Sequence, residues 1–346
     1  MAGLCEGGLD KPTPLRSALL ALVAGGLLTL SPGVHAGSFP EEKLPDHITP
    51  LTEVGQRAEW SLDGKKVLFL TRAGGEVHEV DIETGEERAI TERFDRPEGW
   101  GFYRVMALAN GDYLLTGGPA RKEAYLQILD KSLEKAPVVL DQVIAEGPAV
   151  SRTQMKIAFT EKQDRIWTAD LVYGDGGPQL ANRRLVVDNA DVVVDGIRYE
   201  GMVEPQSFRP PAESELIWAQ YGHTESGVFT AETMGTNLET GETVNYSKAP
   251  GQYDEPEGIF PDGVHTLIEC DRHDRKGTSK IELYRLRLDG TGEDSVRLTH
   301  FSDVEGFRAS NPVVRDDGRF IAFQESLSNS PPGTGDGLYL LDLEKP

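Results

Sequence analysis

The chain has 346 residues, of which 38% are hydrophobic and 27% are charged. That composition is typical of a globular protein and argues against a disordered or fibrous chain. Aspartate and glutamate number 57 against 35 lysine and arginine residues, which gives a net charge of −22. Because such a surface repels phosphate groups, neither nucleic acid nor an anionic membrane is expected as a partner.

The N-terminal 36 residues have the pattern of a secretory signal peptide. An apolar run from Ala18 to Leu30 follows two basic residues, and the small residues Val34 and Ala36 come before Gly37. The run is shorter than the roughly 20 residues that span a bilayer, and small residues at these positions are typical of a cleavage site. We therefore predict a signal peptide over residues 1–36 and a secreted or periplasmic protein over residues 37–346, with no membrane span after cleavage.

A unit of about fifty residues recurs six times after the predicted signal peptide. Each unit has an apolar residue, a turn that is often Asp-Gly, and an apolar strand, because Asp-Gly tolerates the positive φ of a tight hairpin. The apolar residues that mark the units are Trp60, Leu108, Val150, Phe208, Phe260 and Val314. A third strand follows in each unit, then a turn that is often Thr-Gly-Glu, and then a short fourth strand.

Four strands per unit in hairpin order predict the blades of a β-propeller. The sixth unit stops after its third strand, whereas residues 48–52 precede the first unit and have the pattern of a fourth strand. An N-terminal strand that completes the last blade would close the ring and cover its edges. The predicted fold is therefore all-β, a six-bladed propeller of four-stranded antiparallel blades closed by an N-terminal strand. The fourth blade is the least regular, because Pro205, Pro210 and Pro211 crowd its first strand.

The first unit has Trp-Ser-x-Asp-Gly-Lys-Lys at residues 60–66, followed by Asp-x-x-Thr-Gly-Glu at residues 81–86. This pattern resembles the repeat of TolB-type propellers, which also occurs in the propellers of prolyl-oligopeptidase-type enzymes. The resemblance covers roughly residues 48–346 and is sharpest in the first, fifth and sixth units. We expect a propeller alone, without the N-terminal domain of TolB or the hydrolase domain of the peptidases, because six blades occupy the chain and no Gly-x-Ser-x-Gly occurs.

Two related propeller groups bear on chemistry. Glu146-Gly147-Pro148 resembles the Glu-Gly-Pro of gluconolactonase-type enzymes, which bind a divalent metal in the channel. Oligogalacturonate lyases, which are also TolB-like, use a histidine-bound metal, and only scattered histidines of this chain match that pattern.

The dipeptide Glu-Gly occurs five times after the predicted signal peptide, at glutamates 98, 146, 200, 257 and 305. All five are predicted to lie in the connections between blades, near one mouth of the channel. Carboxylates gathered there would repel one another, and a hard divalent cation such as Ca²⁺ would relieve the repulsion. Glu146 and Glu257 are therefore candidate metal ligands, and Glu257 is also a candidate catalytic residue. The alternative is an inherited turn in which glycine makes the bend and glutamate accepts backbone hydrogen bonds.

The loop at residues 269–277 carries a second group of candidates on the same predicted face. Asp271 and His273 are of types that bind metals, and His273 is a candidate catalytic residue. Arg272 and Arg275 are suited to clamp a carboxylate or a sugar acid. The alternative is a solvated charged loop.

The equivalent loops of the fourth and sixth units supply two more candidate ligand-binding residues. His223 lies in the former, and Glu325 begins the long latter loop. Tryptophan and tyrosine residues could stack on sugars, although packing between blades is their usual role.

The sequence thus supports two functions. One is a binding or scaffold module, expected to be a monomer, whose loop face meets a protein or an extracellular glycan. The other is a metal-dependent propeller enzyme, a lactonase or an oligosaccharide lyase or hydrolase, with a carboxylate-bound cation at the channel mouth.

Overall fold

The computed structural model describes residues 39–331 and 333–345. The predicted signal peptide, residues 1–36, lies outside the described residues. Helix is confined, in the described part, to five short 3-10 turns, namely Glu41–Lys43, Arg121–Glu123, Asn189–Asp191, Gly277–Lys280 and Phe301–Asp303. Among the described residues, no helix has the length and apolarity that crossing a bilayer requires.

Six four-stranded antiparallel sheets follow one another along the chain and form the blades. After β1 (Ile48–Thr52), blade 1 contains β2 (Gln56–Trp60), β3 (Lys66–Leu70), β4 (Val77–Asp81) and β5 (Glu87–Ala89). Blade 2 contains β6 (Gly101–Ala107), β7 (Tyr113–Gly118), β8 (Ala124–Leu129) and β9 (Val138–Ile144). Blade 3 contains β10 (Glu146–Val150), β11 (Lys156–Thr160), β12 (Arg165–Gly174) and β13 (Gly177–Asp188).

A two-stranded hairpin, β14 (Val193–Val194) and β15 (Ile197–Arg198), lies between blades 3 and 4 in the chain. Blade 4 contains β16 (Met202–Phe208), β17 (Glu215–His223), β18 (Phe229–Asn237) and β19 (Thr243–Asn245). Blade 5 contains β20 (Asp254–Ile259), β21 (His265–Cys270), β22 (Glu282–Arg287) and β23 (Ser295–Arg297). Blade 6 contains β24 (Phe307–Val314), β25 (Phe320–Leu327) and β26 (Leu338–Asp342).

The N-terminal strand completes the last blade, which confirms the predicted closure of the ring. Strand β1 pairs antiparallel with β26, with Ile48 opposite Leu341 and Thr49 opposite Leu340. Upstream of β1, the ring of Phe39 packs on that of Phe301, with 4.3 Å between centroids. The outer edge of blade 6 is therefore covered by the other end of the chain.

The two recurring turns have the local chemistry that the repeat predicted. In blade 1, the Asp63 carboxylate accepts a hydrogen bond from the Lys65 amide at 3.1 Å, and Gly64 has a φ of +65°. In the turn between β4 and β5, the Asp81 carboxylate accepts from the amide of Thr84 at 2.9 Å. Aspartate thus satisfies backbone donors in the turn, while glycine takes the left-handed position.

The prolines in and after the first strand of blade 4 do not disrupt the blade. Pro205 lies inside β16 where the register with β17 shifts, and Pro210 and Pro211 follow the strand. A propeller strand accommodates such a residue at a bulge, where a ladder hydrogen bond is already missing. The prediction that the fourth unit, the least regular of the six, forms a blade is therefore confirmed.

The apolar core consists of clusters between neighbouring blades. Trp60 and Phe69 of blade 1 pack with Ala322 and Leu338 of blade 6. The Trp60 indole, which is 1% exposed, donates a hydrogen bond to the Val313 carbonyl at 3.1 Å. This packing fixes the inner strands β2, β6, β10, β16, β20 and β24 around a central channel.

Candidate functional site

Two cavities occupy the channel, one toward each face of the ring. The first has a volume of about 420 Å³ and is lined by the beginnings of the inner strands and by connections between second and third strands. The second, of about 380 Å³, is lined by the ends of the inner strands and by the turns that follow them. Arg57, Arg104, Glu257 and Asn311 line both cavities and so form the partition between them. We call these the upper cavity and the lower cavity.

Three carboxylates converge in the upper cavity. One oxygen each from Glu255, Glu257 and Glu269 can be chosen so that all three lie within 4.8 Å of one another. Glu255 and Glu257 come from the inner strand of blade 5, and Glu269 from the adjacent strand β21. We call these three residues the carboxylate cluster.

Hydrogen bonds hold two members of the cluster and leave the third free. Glu255 accepts hydrogen bonds from the hydroxyls of Tyr221 and Tyr253. One oxygen of Glu269 accepts from the backbone and side-chain amides of Asn311, at 2.6 and 2.8 Å. Glu257 makes no side-chain hydrogen bond with any described residue.

Crowding and burial change the acidity of these groups. Burial, together with Glu269 and Glu204, raises the pKa of Glu257 to about 8. Burial and the charge of Glu257 raise the pKa of Glu255 to about 7, and burial and Glu255 do the same for Glu269. Carboxylates this close cannot all ionise without a compensating positive charge.

Arginines line the same cavity as the carboxylates. Glu146 accepts a hydrogen bond from Arg121 at 2.8 Å, and its oxygen lies 3.5 Å from the Arg57 guanidinium. Burial opposes ionisation of Glu146, but Arg57 and Arg121 outweigh it and lower the pKa. Burial, then the charge of Arg104, lowers the pKa of Arg57 to about 10. Glu146 is therefore satisfied by arginines.

A fourth carboxylate lies beside the partition. An oxygen of Glu204 is 3.6 Å from the Arg104 guanidinium, and the other lies 3.1 Å from the oxygen of the Tyr221 hydroxyl, which donates its proton to Glu255. Burial and the charges of Glu146 and Glu255 raise the pKa of Glu204 to about 8. Burial and the neighbouring carboxylates therefore favour the protonated form of Glu204.

The structure brings some of the predicted residues together and leaves others apart. Glu146 and Glu257 both line the upper cavity. Neither cavity is lined by the other six candidates, all within the described residues: His223, Asp271, Arg272, His273, Arg275 and Glu325.

Most of those six have structural contacts. Asp271 accepts from the backbone amides of Tyr253 and Gly277, at 2.9 and 2.7 Å, and so shapes its own loop. The His273 ring lies 3.0 Å from the Ser302 hydroxyl and 3.1 Å from that of Tyr284, and burial lowers its pKa.

The remaining candidates fall into buried and exposed positions. Arg272 pairs with buried Asp254, and Glu325, which is 1% exposed, accepts from the Tyr339 hydroxyl at 2.7 Å. His223 and Arg275 are exposed, and the His223 ring packs on that of Phe229 at 5.2 Å.

The predicted placement of the Glu-Gly dipeptides is wrong for two of the five. Glu98, Glu200 and Glu305 lie in connections and are exposed, as expected of turns. Glu146 begins β10, and Glu257 lies within β20, so both are part of inner strands. A bulge between Pro256 and Gly258 accommodates the second dipeptide inside the strand.

Sequence reasoning missed Glu204 and Glu255, and it treated Glu269 only as the start of a loop. Glu255 stands two residues before Glu257, so the acidic run in an inner strand was a usable signal. No comparable local signal marks Glu204, whose importance comes from the neighbouring blades that face it.

Comparisons with known proteins support the fold and do not show a function. No protein-family model matches the chain, and no curated protein sequence matches it. Among solved structures, the calcium-binding protein regucalcin from Agrobacterium tumefaciens is 9% identical with a TM-score of 0.51, over 85% of this chain and 90% of that one.

Two further structures are similar over much of the chain. An oligogalacturonate lyase in complex with manganese is 16% identical with a TM-score of 0.49, over 84% of this chain and 77% of its own. A protein assigned as TolB from Agrobacterium tumefaciens is 13% identical with a TM-score of 0.37, over 80% of this chain and 72% of its own. At such identities the likeness concerns the fold alone, and the chain is a six-bladed β-propeller, as its TolB-type repeat implied.

Proposed function

We propose that the chain is a binding module whose upper cavity holds a divalent cation on Glu255, Glu257 and Glu269. The observation that carries this proposal is the convergence of three carboxylate oxygens within 4.8 Å in a cavity of about 420 Å³. An all-oxygen donor set suits a hard cation such as Ca²⁺, Mg²⁺ or Mn²⁺. The unengaged carboxylate of Glu257 and the second oxygen of Glu269 are available as ligands.

The ligand that suits this cavity is an extracellular glycan that carries carboxylate groups. A bound divalent cation supplies a positive centre that attracts and polarises a carboxylate or a carbonyl group. Arg57, Arg104 and Arg308 line the same cavity, and the Nε atoms of Arg104 and Arg308 have no hydrogen-bond partner among the described residues. Guanidinium groups bind carboxylates through two parallel hydrogen bonds, so these side chains would orient an acidic sugar.

A second candidate function, a metal-dependent lactonase or oligosaccharide lyase or hydrolase, is favoured by Glu204. Its raised pKa, about 8, provides a protonated carboxyl group at neutral pH beside the partition. A group that titrates near the working pH is suited to deliver or accept a proton. In this alternative Glu204 transfers the proton while the arginines hold the substrate carboxylate.

The first experiment measures metal content and thermal stability of residues 37–346, with and without added Ca²⁺, Mg²⁺ or Mn²⁺. We expect one tightly bound cation, or a stabilisation of about 2.7 kcal/mol when the added cation reaches a hundred times its Kd. Glu257→Gln should abolish this response. Glu98→Gln is the matched control, because it changes an exposed Glu-Gly dipeptide and should leave the response intact.

A wild-type protein with no bound metal and no response to any of the three cations would refute the cation site. The choice between binding and catalysis needs a separate assay with oligogalacturonates and aldonolactones. Binding without turnover supports the binding module. Turnover that is lost in Glu204→Gln, with the cation retained, supports the enzyme.

The predicted leader supports a location outside the cytoplasm, as a secreted or periplasmic protein. Fractionation of expressing cells and N-terminal sequencing would test this part of the proposal. An N-terminus at Gly37 is expected, and an intact N-terminus in the cytoplasmic fraction would contradict it.

A further inference from the structure

The lower cavity differs from the upper cavity in chemistry as well as in position. Its walls include the apolar side chains of Val105, Met106, Val150, Phe208, Ile259 and Val313. These side chains come from the inner strands of five blades or from the residues beside them. A volume of about 380 Å³ lies within the range of small-molecule sites, and pre-formed apolar cavities of proteins bind small apolar ligands.

Gln206 is a buried polar group in this wall whose amide nitrogen has no hydrogen-bond partner among the described residues, and the Nε of Arg104 on the partition is a second such group. Gln206 lines the lower cavity and is 8% exposed, and its amide makes no side-chain hydrogen bond with any described residue. A buried amide normally has hydrogen-bond partners, because leaving it unpaired costs free energy. A ligand oxygen that accepts a hydrogen bond from the amide nitrogen would satisfy it.

The charged groups at the mouth of the lower cavity already have partners within the protein, whereas Arg57, Arg104 and Glu257 lie at the partition. The Arg152 guanidinium donates to Glu59 at 3.0 Å and to Asp316 at 2.8 Å. Glu213 accepts from the Arg152 backbone amide at 2.8 Å and from the Thr153 hydroxyl at 2.8 Å. A charged ligand would have to disrupt these pairs on entering, whereas an uncharged ligand would not.

We propose that the lower cavity binds a small, uncharged and largely apolar molecule, whose amide-like group pairs with Gln206. Its apolar part would contact the wall that contains Phe208 and Val313. The proposal does not depend on the cation site, because the residues that carry it lie on the other side of the partition.

The experiment uses residues 37–346 and three probes of similar size, namely benzamide, toluene and benzoate. Binding is measured by ligand-observed NMR titration. We expect benzamide to bind more tightly than toluene and benzoate to bind most weakly. Gln206→Leu should weaken benzamide binding about fivefold, the usual scale of one hydrogen bond, and leave toluene unchanged.

Two further variants test where the probes bind. Met106→Trp and Ser207→Phe each place a larger side chain on the wall, and at least the variant that folds should abolish binding of benzamide and toluene. Gln163→Leu is the matched control, because Gln163 is a glutamine that lines the upper cavity and is 9% exposed. It should leave the affinity of all three probes unchanged.

Three results would overturn the proposal. The first is the absence of binding by all three probes at millimolar concentration. The second is binding that persists in a folded Met106→Trp or Ser207→Phe protein, and the third is a preference for benzoate over benzamide. The melting temperature of each variant shows whether it is folded.

Discussion

Arg272 is an ion-pair partner inside blade 5. Its Nε and Nη2 atoms donate to Asp254, which is fully buried, at 2.9 and 2.6 Å. Its remaining donors reach the backbone carbonyls of Gly292 and Ser247, at 2.7 and 2.9 Å. The guanidinium thus ties three segments of the chain together and has few donors left for a ligand.

Removing this guanidinium should destabilise the protein strongly. Arg272→Met leaves the Asp254 carboxylate buried without its partner, and we expect the free energy of unfolding to fall by about 3–5 kcal/mol. Urea denaturation at neutral pH measures this change. Arg275→Met, at an exposed neighbouring position, should change stability by less than about 0.5 kcal/mol. Equal effects of the two variants would contradict the assignment.

Glu325 makes stability depend on pH. Burial raises the pKa of Glu325 to about 7, although the Tyr339 hydroxyl partly opposes the rise. The folded protein therefore binds a proton that the unfolded chain releases near pH 4.5. The stability that this proton supplies is complete below about pH 4.5 and is lost as the pH rises toward 7.

Glu325→Gln should remove that loss, because the amide stays neutral and its oxygen still accepts from Tyr339. Above pH 7 we expect the variant to be more stable than the wild type by about 1–2 kcal/mol, with little difference at pH 4.5. Thermal or urea unfolding across this pH range provides the measurement. A variant that is less stable than the wild type at pH 8 would show that the carboxylate is not strained by burial.

At the scale of elements, the blades were predictable and the site was only partly so. Aspartate and glycine act within one turn, so positions such as Asp63-Gly64 reveal hairpins directly in the sequence. The carboxylate cluster depends instead on which strands the closed ring brings together. Glu257 was found through its dipeptide, whereas Glu204 becomes significant only because the fold places Arg104 of blade 2 and Tyr221 of the adjacent strand beside it.

The glycine of an Asp-Gly turn can have a packing role beyond its backbone conformation. Gly263 has a φ of +66°, and a Cβ atom there would lie 1.9 Å from the Pro210 carbonyl oxygen of the neighbouring blade. Gly241, in a Thr-Gly-Glu turn, has a similar φ of +75° but nothing within 4 Å of a Cβ. Substitutions at these two glycines therefore separate the free-energy cost of a left-handed backbone from that of a steric clash.

Gly241→Ala should cost about 1 kcal/mol, the usual penalty for a left-handed residue with a side chain. Gly263→Ala should cost roughly 1–3 kcal/mol more, because the two blades must move apart. Chemical denaturation of both variants tests the difference. A similar loss of stability in both variants would mean that the two blades can move apart at little cost in free energy.

At the scale of the whole molecule, stability depends on closing the ring. Strand β1 pairs with β26 and covers an edge that would otherwise present unpaired backbone groups. Such edges recruit strands from other molecules. A chain that begins at residue 54 should therefore associate or precipitate, whereas one that begins at residue 37 should stay monomeric. Size-exclusion chromatography with light scattering distinguishes the two outcomes, and a monodisperse, folded truncation would contradict the role of β1.

The pairing of β1 with β26 also makes a circular permutant of the chain feasible. Because Asp342 donates its backbone N–H to the His47 carbonyl at 2.9 Å, the two ends of the chain leave blade 6 side by side. A short linker could join them, and the chain could be opened instead at an exposed turn such as Thr84-Gly85. In such a circular permutant blade 6 would be continuous and blade 1 would be closed by strands from both termini. A folded permutant would show that the ring can be closed within a blade other than blade 6.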